Sequence, residues 1–187
     1  MKLTDHFYKL ISTVFGTIGV VWWNSEASPR VRQMFLSAGQ TPVESVIQES
    51  YAGARPFTSP DIDRLGAQIQ GYLIGQPVVF DLNMMALEDL GEFARRVLTA
   101  EYGIPRGWVS TYGRIAKHVG AAGASRAVGG ALARNRFPIV IPCHRAVRSD
   151  GHIGGYQGGG KMKRALLTME GVKFTATGAV SMDKVYY

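Results

Sequence analysis

Apolar residues recur along the first half of the chain in patterns typical of both strands and helices. The segment Val14–Trp23 is rich in β-branched and aromatic residues and predicts a strand. Pro42–Tyr51 predicts a short helix. A longer helix is predicted over Pro60–Gly75, because Ser59 suits the N-cap and proline suits the first helical position. The apolar residues of this helix share one face: Ile62, Leu65, Ile69, Tyr72 and Leu73.

The second half of the chain predicts mainly helices, after a short strand over residues 77–82. An apolar stripe from Leu87 to Leu98 predicts a helix that ends before Gly103. Two shorter helices, over residues 111–119 and 125–134, flank a glycine-containing turn and indicate a helix-turn-helix motif. The chain is therefore predicted to be α+β, with an α/β domain over residues 1–84 and a mainly helical domain over residues 85–187.

The second helix of this motif consists mostly of small residues around Ser125 and Arg126. A protein that reads a DNA sequence presents several Arg, Lys, Asn or Gln side chains to base edges, and residues 125–133 contain one, Arg126. Small residues allow a close approach of the backbone. The helix is consistent with sequence-indifferent contact with a partner and equally with close packing against another helix.

Charge is distributed unevenly between the two halves of the chain. Residues 1–104 contain 8 Lys/Arg and 11 Asp/Glu, whereas residues 105–187 contain 13 Lys/Arg and 3 Asp/Glu. The second half thus has a formal charge of +10 within a total of +7. A solvated basic surface without a partner is one explanation, but a polyanion such as nucleic acid is favoured.

The cysteine count and the hydropathy exclude several classes of protein. Cys143 is the one cysteine, which rules out an internal disulfide and a cysteine-rich zinc site, and we expect no metal and no cofactor. No run approaches about 18 apolar residues, and the chain starts without the apolar core of a signal peptide. We therefore expect a soluble, cytoplasmic protein with no membrane partner.

Cys143 follows an apolar run, residues 137–142, that is bounded by prolines and predicts a short buried strand or extended stretch. The cysteine is followed by His144 and Arg145, an electropositive setting in which a nucleophilic thiolate is favoured. Neighbouring side chains alternate along an extended segment, so His144 need not touch the thiol. A water can carry the proton between them, and a carboxylate that orients the histidine would complete the relay.

A glycine-rich segment, residues 151–160, follows the cysteine and contains six glycines. Such a loop can approach a ligand closely and present backbone N–H groups, but it lacks the Gly-Lys-Ser/Thr ending of a phosphate-binding P-loop. Residues 161–170 then predict a short amphipathic helix whose apolar residues are Met162, Ala165, Leu166 and Met169.

The run Ile141–Arg145 resembles the active-site signature of the O6-alkylguanine-DNA alkyltransferases. The resemblance covers about residues 88–172, since further motifs match in order and spacing: Ser110–Gly113, Ser125–Gly130, Asn135, Gly155-Tyr156 with Gly158-Gly159, Leu166-Leu167 and Glu170-Gly171. The first domain resembles the family's variable domain only loosely. The resemblance implies a ribonuclease H-like fold for that domain and a winged-helix-like helix-turn-helix in the second.

The resemblance also implies a suicide reaction and a catalytic role for five residues. Cys143 accepts the alkyl group irreversibly, and His144 deprotonates it through a water while Glu170 orients His144. Asn135 braces the turn between the DNA-binding helix and the active-site segment. Tyr112 helps to protonate the leaving guanine and contacts a phosphate.

The implied partner is double-stranded DNA that contains O6-alkylguanine, bound through its minor groove by a monomer. A stacked base cannot bring its O6 alkyl group to a buried thiolate, so the base must be flipped out, and Arg126 would take its place. The implied DNA-binding residues are Thr111, Tyr112, Ser125, Arg126, Ala127 and Gly130. The implied residues of the alkyl and base pocket are Pro138, Arg145, Ala146, Tyr156 and Gln157. The resemblance also implies a structural, ion-pairing role for Arg145.

Two departures and three alternatives complete this interpretation. Gln157 stands where the family usually has a smaller residue, and Ala165 replaces a commonly bulky aromatic. The zinc site of some first domains cannot be carried over, because this domain has no cysteine and His6 is its one histidine. A lesion-binding relative without transfer activity would lack the acceptor that Cys143 provides. A cysteine hydrolase would leave the small-residue helix unexplained, and a transcription regulator would need more base-reading side chains.

Overall fold

The computed structural model describes residues 5–25, 28–37 and 39–187. The chain forms two compact units, one containing the residues up to Leu87 together with Arg136–Val140, and the other Glu88–Asn135 with Ile141–Tyr187. The sequence predicts a domain boundary between residues 84 and 85. It does not predict that Arg136–Val140, which precedes the cysteine, belongs to the first unit.

The first unit is built on a mixed four-stranded sheet. Strands β1 (Phe7–Thr13), β2 (Gly16–Asn24) and β3 (Pro29–Leu36) are antiparallel neighbours, and the short β4 (Arg55–Pro56) lies parallel to β1, giving the order β3-β2-β1-β4. The predicted strand over residues 14–23 corresponds to β2. The other strands escaped prediction because their polar residues interrupt the apolar pattern.

Two helices of the first unit were predicted correctly. Helix α1 (Val43–Ser50) lies so close to the sheet that a Cβ atom on Gly19 would come within 2.6 Å of Ile47. Helix α2 (Pro60–Leu73) is capped by Ser59, whose hydroxyl accepts a hydrogen bond from the backbone N–H of Ile62.

The strand predicted over residues 77–82 is wrong. Residues 77–81 have no regular structure and lead into a 3-10 turn, Leu82–Met84, which the Asp81 side chain caps. Val79 is 85% exposed and Phe80 is buried, so one face of the run is covered, but the run pairs with no strand of the sheets in the described ranges.

The second unit is mainly helical, and together the two units confirm the predicted α+β class. Its helices are α3 (Glu92–Tyr102), α4 (Tyr112–His118), α5 (Ser125–Ala133) and α6 (Gly159–Met169). The predicted apolar stripe begins at Leu87, but helix α3 begins at Glu92, because Leu87–Asp89 forms a separate 3-10 turn. None of the helices in the described ranges is long and apolar enough to cross a membrane.

A two-stranded parallel pair positions the chemistry of the second unit. Strand β5 (Ser110–Thr111) pairs with β6 (Ala146–Val147), which places the start of α4 beside the segment that follows Cys143. Helix α6 buries Met162, Lys163, Leu166 and Leu167, a face rotated by about one residue from the predicted one. Lys163 takes the inward position that was predicted for Ala165, and its ammonium group donates a hydrogen bond to the Ala146 carbonyl.

Candidate active site

Cys143 lies in a tight turn and not in an extended stretch. Cys143–Arg145 forms one turn of 3-10 helix, with the Arg145 N–H donating to the Pro142 carbonyl at 2.8 Å. The preceding residues are buried as predicted, but Ile139 has φ +74°, a strained conformation for a β-branched residue. Because Pro138 and Pro142 have no N–H to donate to a ladder, the segment turns where a strand was expected.

Asn135 ties the end of α5 to the cysteine turn. Its side-chain Nδ2 donates to the Ile141 carbonyl at 3.0 Å and to the Cys143 Sγ at 3.2 Å, and the residue is 2% exposed. A buried amide with two partners holds a defined orientation. Asn135 therefore fixes the position of the sulfur and donates a hydrogen bond that stabilises a thiolate.

The resting Cys143 side chain is a thiol, which corrects the expectation of a favoured thiolate. Burial raises the pKa of Cys143 to about 12, although the Asn135 hydrogen bond and the Lys163 charge lower it. The neighbouring Arg145 does not serve as the expected cation, because Glu170 neutralises its charge. The sequence shows the adjacent cations but not the desolvation, which outweighs them.

Glu170, His144 and Arg145 form a buried charge cluster behind the cysteine. Arg145 holds Glu170 in a bidentate pair, with Nε to Oε2 and Nη2 to Oε1 both at 2.8 Å, and Nη1 donates to the Ile104 carbonyl at 2.5 Å. Burial raises the pKa of Glu170, but His144 and Arg145 together outweigh it and hold that pKa well below its usual range. Glu170 is therefore ionised at neutral pH.

His144 is oriented by this carboxylate. Its Nε2 lies 2.9 Å from Oε1 of Glu170, and burial lowers its pKa, although Glu170 acts in the opposite direction. The ring is therefore neutral near pH 7. A hydrogen bond from a neutral ring to a carboxylate requires the proton on Nε2, so Nδ1 carries the lone pair that can accept a proton.

A cavity of about 290 Å³ opens onto the sulfur. Its size is near the lower limit of typical small-molecule pockets. One wall comes from α4 and α5, the other from the glycine-rich segment, and its lining residues are Tyr112, Gly129, Leu132, Ala133, Cys143, Gly155, Tyr156 and Gln157. The cavity therefore presents one nucleophile, two aromatic rings and a glycine-containing stretch of backbone to a small ligand.

Two contacts set the shape of the glycine-rich wall. Gly154 has φ +69°, and a Cβ atom there would lie 2.7 Å from the Tyr112 hydroxyl, so only glycine fits beside this ring. The Gln157 side chain reaches across to the end of α5, where Nε2 donates to the carbonyls of Asn135 at 2.7 Å and Ala133 at 3.2 Å.

Comparison with known proteins identifies the family. Residues 92–172 match the model of the 6-O-methylguanine DNA methyltransferase DNA-binding domain. A methylated-DNA–protein-cysteine methyltransferase from Methanothermobacter thermautotrophicus is 41% identical over 155 residues, which cover 83% of this chain and 80% of that protein. This chain belongs to the methylated-DNA–protein-cysteine methyltransferase family. The enzyme class and the role in DNA repair predicted from the sequence are thereby confirmed.

Solved structures of methylated-DNA–protein-cysteine methyltransferases share the fold. Mycobacterium tuberculosis OGT in complex with DNA is 31% identical with a TM-score of 0.71, over 88% of this chain and 92% of that one. The O6-methylguanine-DNA methyltransferase of Pyrococcus kodakaraensis is 25% identical with a TM-score of 0.65, over 89% and 99%.

The predicted DNA-binding residues of this methyltransferase differ in exposure. Arg126 and Ala127 are exposed at the start of α5, and Ser125 and Gly130 are partly buried. Thr111 is buried, and its hydroxyl caps α4 by accepting the Arg114 N–H at 3.2 Å. The Thr111 hydroxyl thus has a capping role, and its contact with DNA stays a prediction.

Two of the five predicted pocket residues line the cavity, and three do not. Tyr156 and Gln157 line the cavity, and the Tyr156 ring meets His144 edge-on with centroids 6.1 Å apart. Arg145 and Ala146 are buried away from the cavity wall, Arg145 because it is engaged with Glu170. Pro138 is buried in the other unit and is not among the residues that line this cavity.

Two buried charged residues near the cysteine were not predicted. Glu101 of α3 and Lys163 of α6 are both 0% exposed. A signal existed for Glu101, since it continues the apolar positions Ala94, Val97 and Leu98 at helical spacing. Lys163 gave a weaker signal, because a lysine beside an apolar stripe usually reaches the solvent.

Proposed function

We propose that this protein repairs O6-alkylguanine in double-stranded DNA by transferring the alkyl group to Sγ of its own Cys143, once per molecule. A new S–C bond forms as the O6–C bond breaks, and the thiol proton is balanced by a proton on the released guanine. The observation that carries the proposal is a cavity that ends on a buried cysteine, with Asn135 bound to its sulfur and a histidine–carboxylate pair behind it.

The proton path starts at the thiol and leads to His144. The neutral ring, with its proton directed at Glu170, has a basic Nδ1 that takes the thiol proton through a bridging water. Glu170 stabilises the imidazolium that forms, and the Asn135 side chain stabilises the thiolate. Tyr112, at the cavity wall, then supplies a proton to the leaving guanine and regains one from solvent, while the His144 imidazolium releases the thiol proton to solvent, so that the net transfer is one proton from the thiol to the guanine.

DNA binds through α4 and α5, which act as a winged-helix-like motif in the minor groove. The exposed Arg126 and Ala127 support this mode, because small residues at the start of α5 let its backbone approach the duplex. The target base flips into the cavity while Arg126 fills the gap that it leaves. The protein acts as a monomer, since one chain supplies every residue of the reaction.

An intact-mass measurement tests the proposal. Incubation with a duplex containing O6-methylguanine should add one methyl group on Cys143, with product reaching one equivalent per protein. Cys143→Ala should abolish transfer and keep binding to the duplex. Binding without any mass change would indicate a lesion-recognition protein, and repeated turnover would indicate a hydrolase; either result would refute the transfer reaction.

A further inference from the structure

Glu101 is a buried acid that the proposed reaction does not use. It lies in the last turn of α3, is 0% exposed, and neither carboxylate oxygen has a partner in regular hydrogen-bond geometry among the residues that the structure describes. A buried carboxylate that has no hydrogen bond of regular geometry is costly unless it is protonated or balanced by a nearby charge. Its burial raises the pKa of Glu101 to about 8, against the lowering effect of Lys163, Arg145 and the Ala146 amide.

Lys163 is the corresponding buried base. Its Nζ donates to the Ala146 carbonyl at 2.6 Å and to the Gly155 carbonyl at 3.2 Å. These bonds join α6 to the residue after the cysteine turn and to the cavity wall. Burial lowers the pKa of Lys163 to about 8, while the charges of Cys143 and Glu101 act in the opposite direction.

The charges around the sulfur leave Lys163 as its counter-ion. Arg145 and Glu170 neutralise each other in their bidentate pair. If Glu101 is protonated, the Lys163 ammonium is the remaining net charge, and a thiolate at Cys143 would balance it. If Glu101 is ionised, it already balances Lys163. The groups affected by the Glu101 charge come from four segments: Tyr112, Cys143, Lys163 and Tyr187.

We propose that Glu101 and Lys163 are a pair of positioning residues that set the fraction of Cys143 present as thiolate. The Lys163 ammonium stabilises the thiolate, and an ionised Glu101 opposes it by neutralising Lys163 and repelling the sulfur. The pair thus makes the reactivity of the cysteine depend on protons that neither His144 nor Glu170 carries. Its importance for repair rests on the proposed role of Cys143 as acceptor.

The rate of Cys143 alkylation by iodoacetamide tests this pair in the full chain without DNA. With a single cysteine, intact mass reports the reaction of that residue, and a Cys143→Ala sample gives the background. Glu101→Gln keeps the shape but cannot ionise. Its rate should match that of the unmodified protein at about pH 6.5. At about pH 9.5, where Lys163 has lost its proton and the ionised Glu101 acts by repelling the sulfur, it should exceed the unmodified rate by roughly fivefold or more, since one pKa unit is tenfold in thiolate.

Lys163→Met should show the complementary profile, with a reduced rate below about pH 8 that approaches the unmodified rate above it, where Lys163 loses its proton. Glu92→Gln is the matched control, since it makes the same change at an exposed position of α3. The ratio of its alkylation rate to that of the unmodified protein should stay near one at every pH. If Glu101→Gln does not fold, Glu101→Leu removes the same charge and should give the same profile. A Glu101→Gln ratio that is constant with pH, or that falls as pH rises, overturns the inference.

This measurement is independent of DNA repair. A protein that shows the expected pH profile but transfers no methyl group from DNA would refute the proposed function and leave the charge pair supported. A protein that repairs DNA with a pH-independent Glu101→Gln ratio would refute only the pair.

Discussion

The side chain of Gln157 offers the sharpest test of how the cavity selects its substrate. Its amide closes one side of the cavity by donating to two carbonyls, Asn135 at 2.7 Å and Ala133 at 3.2 Å. These carbonyls lie at the C-terminal end of α5, where the helix itself provides no donors. We expect a methyl adduct to fit in the cavity while the Gln157 amide keeps these hydrogen bonds. A bulky benzyl adduct should fit only when the amide is displaced.

The expected magnitude follows from the two hydrogen bonds. Each contributes about 0.5–1.5 kcal/mol net, and the longer one falls at the weak end, so displacement of both costs roughly 1–2 kcal/mol. Each 1.36 kcal/mol in the barrier is tenfold in rate. Removal of the amide should therefore raise the benzyl-to-methyl rate ratio by about 5- to 30-fold.

Single-turnover transfer rates should be measured on the same duplex with O6-methylguanine and with O6-benzylguanine. Gln157→Ser shortens the side chain, and the matched Gln157→Glu keeps its length but replaces the donor with an acceptor that faces carbonyls. Both variants should raise the ratio through the benzyl rate. An unchanged benzyl-to-methyl ratio in both variants would show that the Gln157 amide does not restrict the size of the adduct that the cavity accepts.

Three further predictions concern DNA and the buried cluster. Arg126→Ala should slow transfer from duplex DNA at least about tenfold more than transfer from free O6-benzylguanine, since only the duplex must be held open; equal losses would mean that Arg126 supports the fold. Affinity for undamaged duplex should fall about 10²–10³-fold between ~50 and ~200 mM salt, for roughly five phosphate contacts, and should vary little with sequence; a flat salt dependence would contradict binding through phosphates. Glu170→Gln should lower the free energy of unfolding by about 3–5 kcal/mol at pH 7, because it leaves Arg145 buried without its counter-ion. The folded pKa of Glu170 is depressed, so its contribution to stability is present above the unfolded pKa of about 4.3 and is lost as pH falls below it. Denaturant titrations at pH 7 and pH 3 should show the difference between the two proteins shrinking at the lower pH, and a constant difference would contradict this electrostatic role.

Local features of the sequence determined the helices and the identity of the reacting group. Ser59 and Pro60 mark the start of α2, and the apolar face of that helix repeats at helical spacing, so neighbouring residues alone specify it. The motif around Cys143 similarly identified the family, because the order and spacing of its residues are properties of the chain. Such signals need no knowledge of what packs against them.

Tertiary structure decided the protonation states and the partners of the same residues. The sequence places Arg145 beside Cys143, but Arg145 is bound to Glu170, 25 residues further along the chain, and burial keeps the sulfur protonated. The Thr111 hydroxyl caps α4, and the charge of Glu101, on α3, acts on the pKa of the Cys143 thiol. Desolvation depends on every element that covers a group, and long-range pairs depend on how helices pack. Neither quantity is encoded in a local window of sequence. The residue types and, through the family resemblance, the pairing of His144 with Glu170 were predictable, while the protonation states and the partners of Lys163 and Gln157 were not.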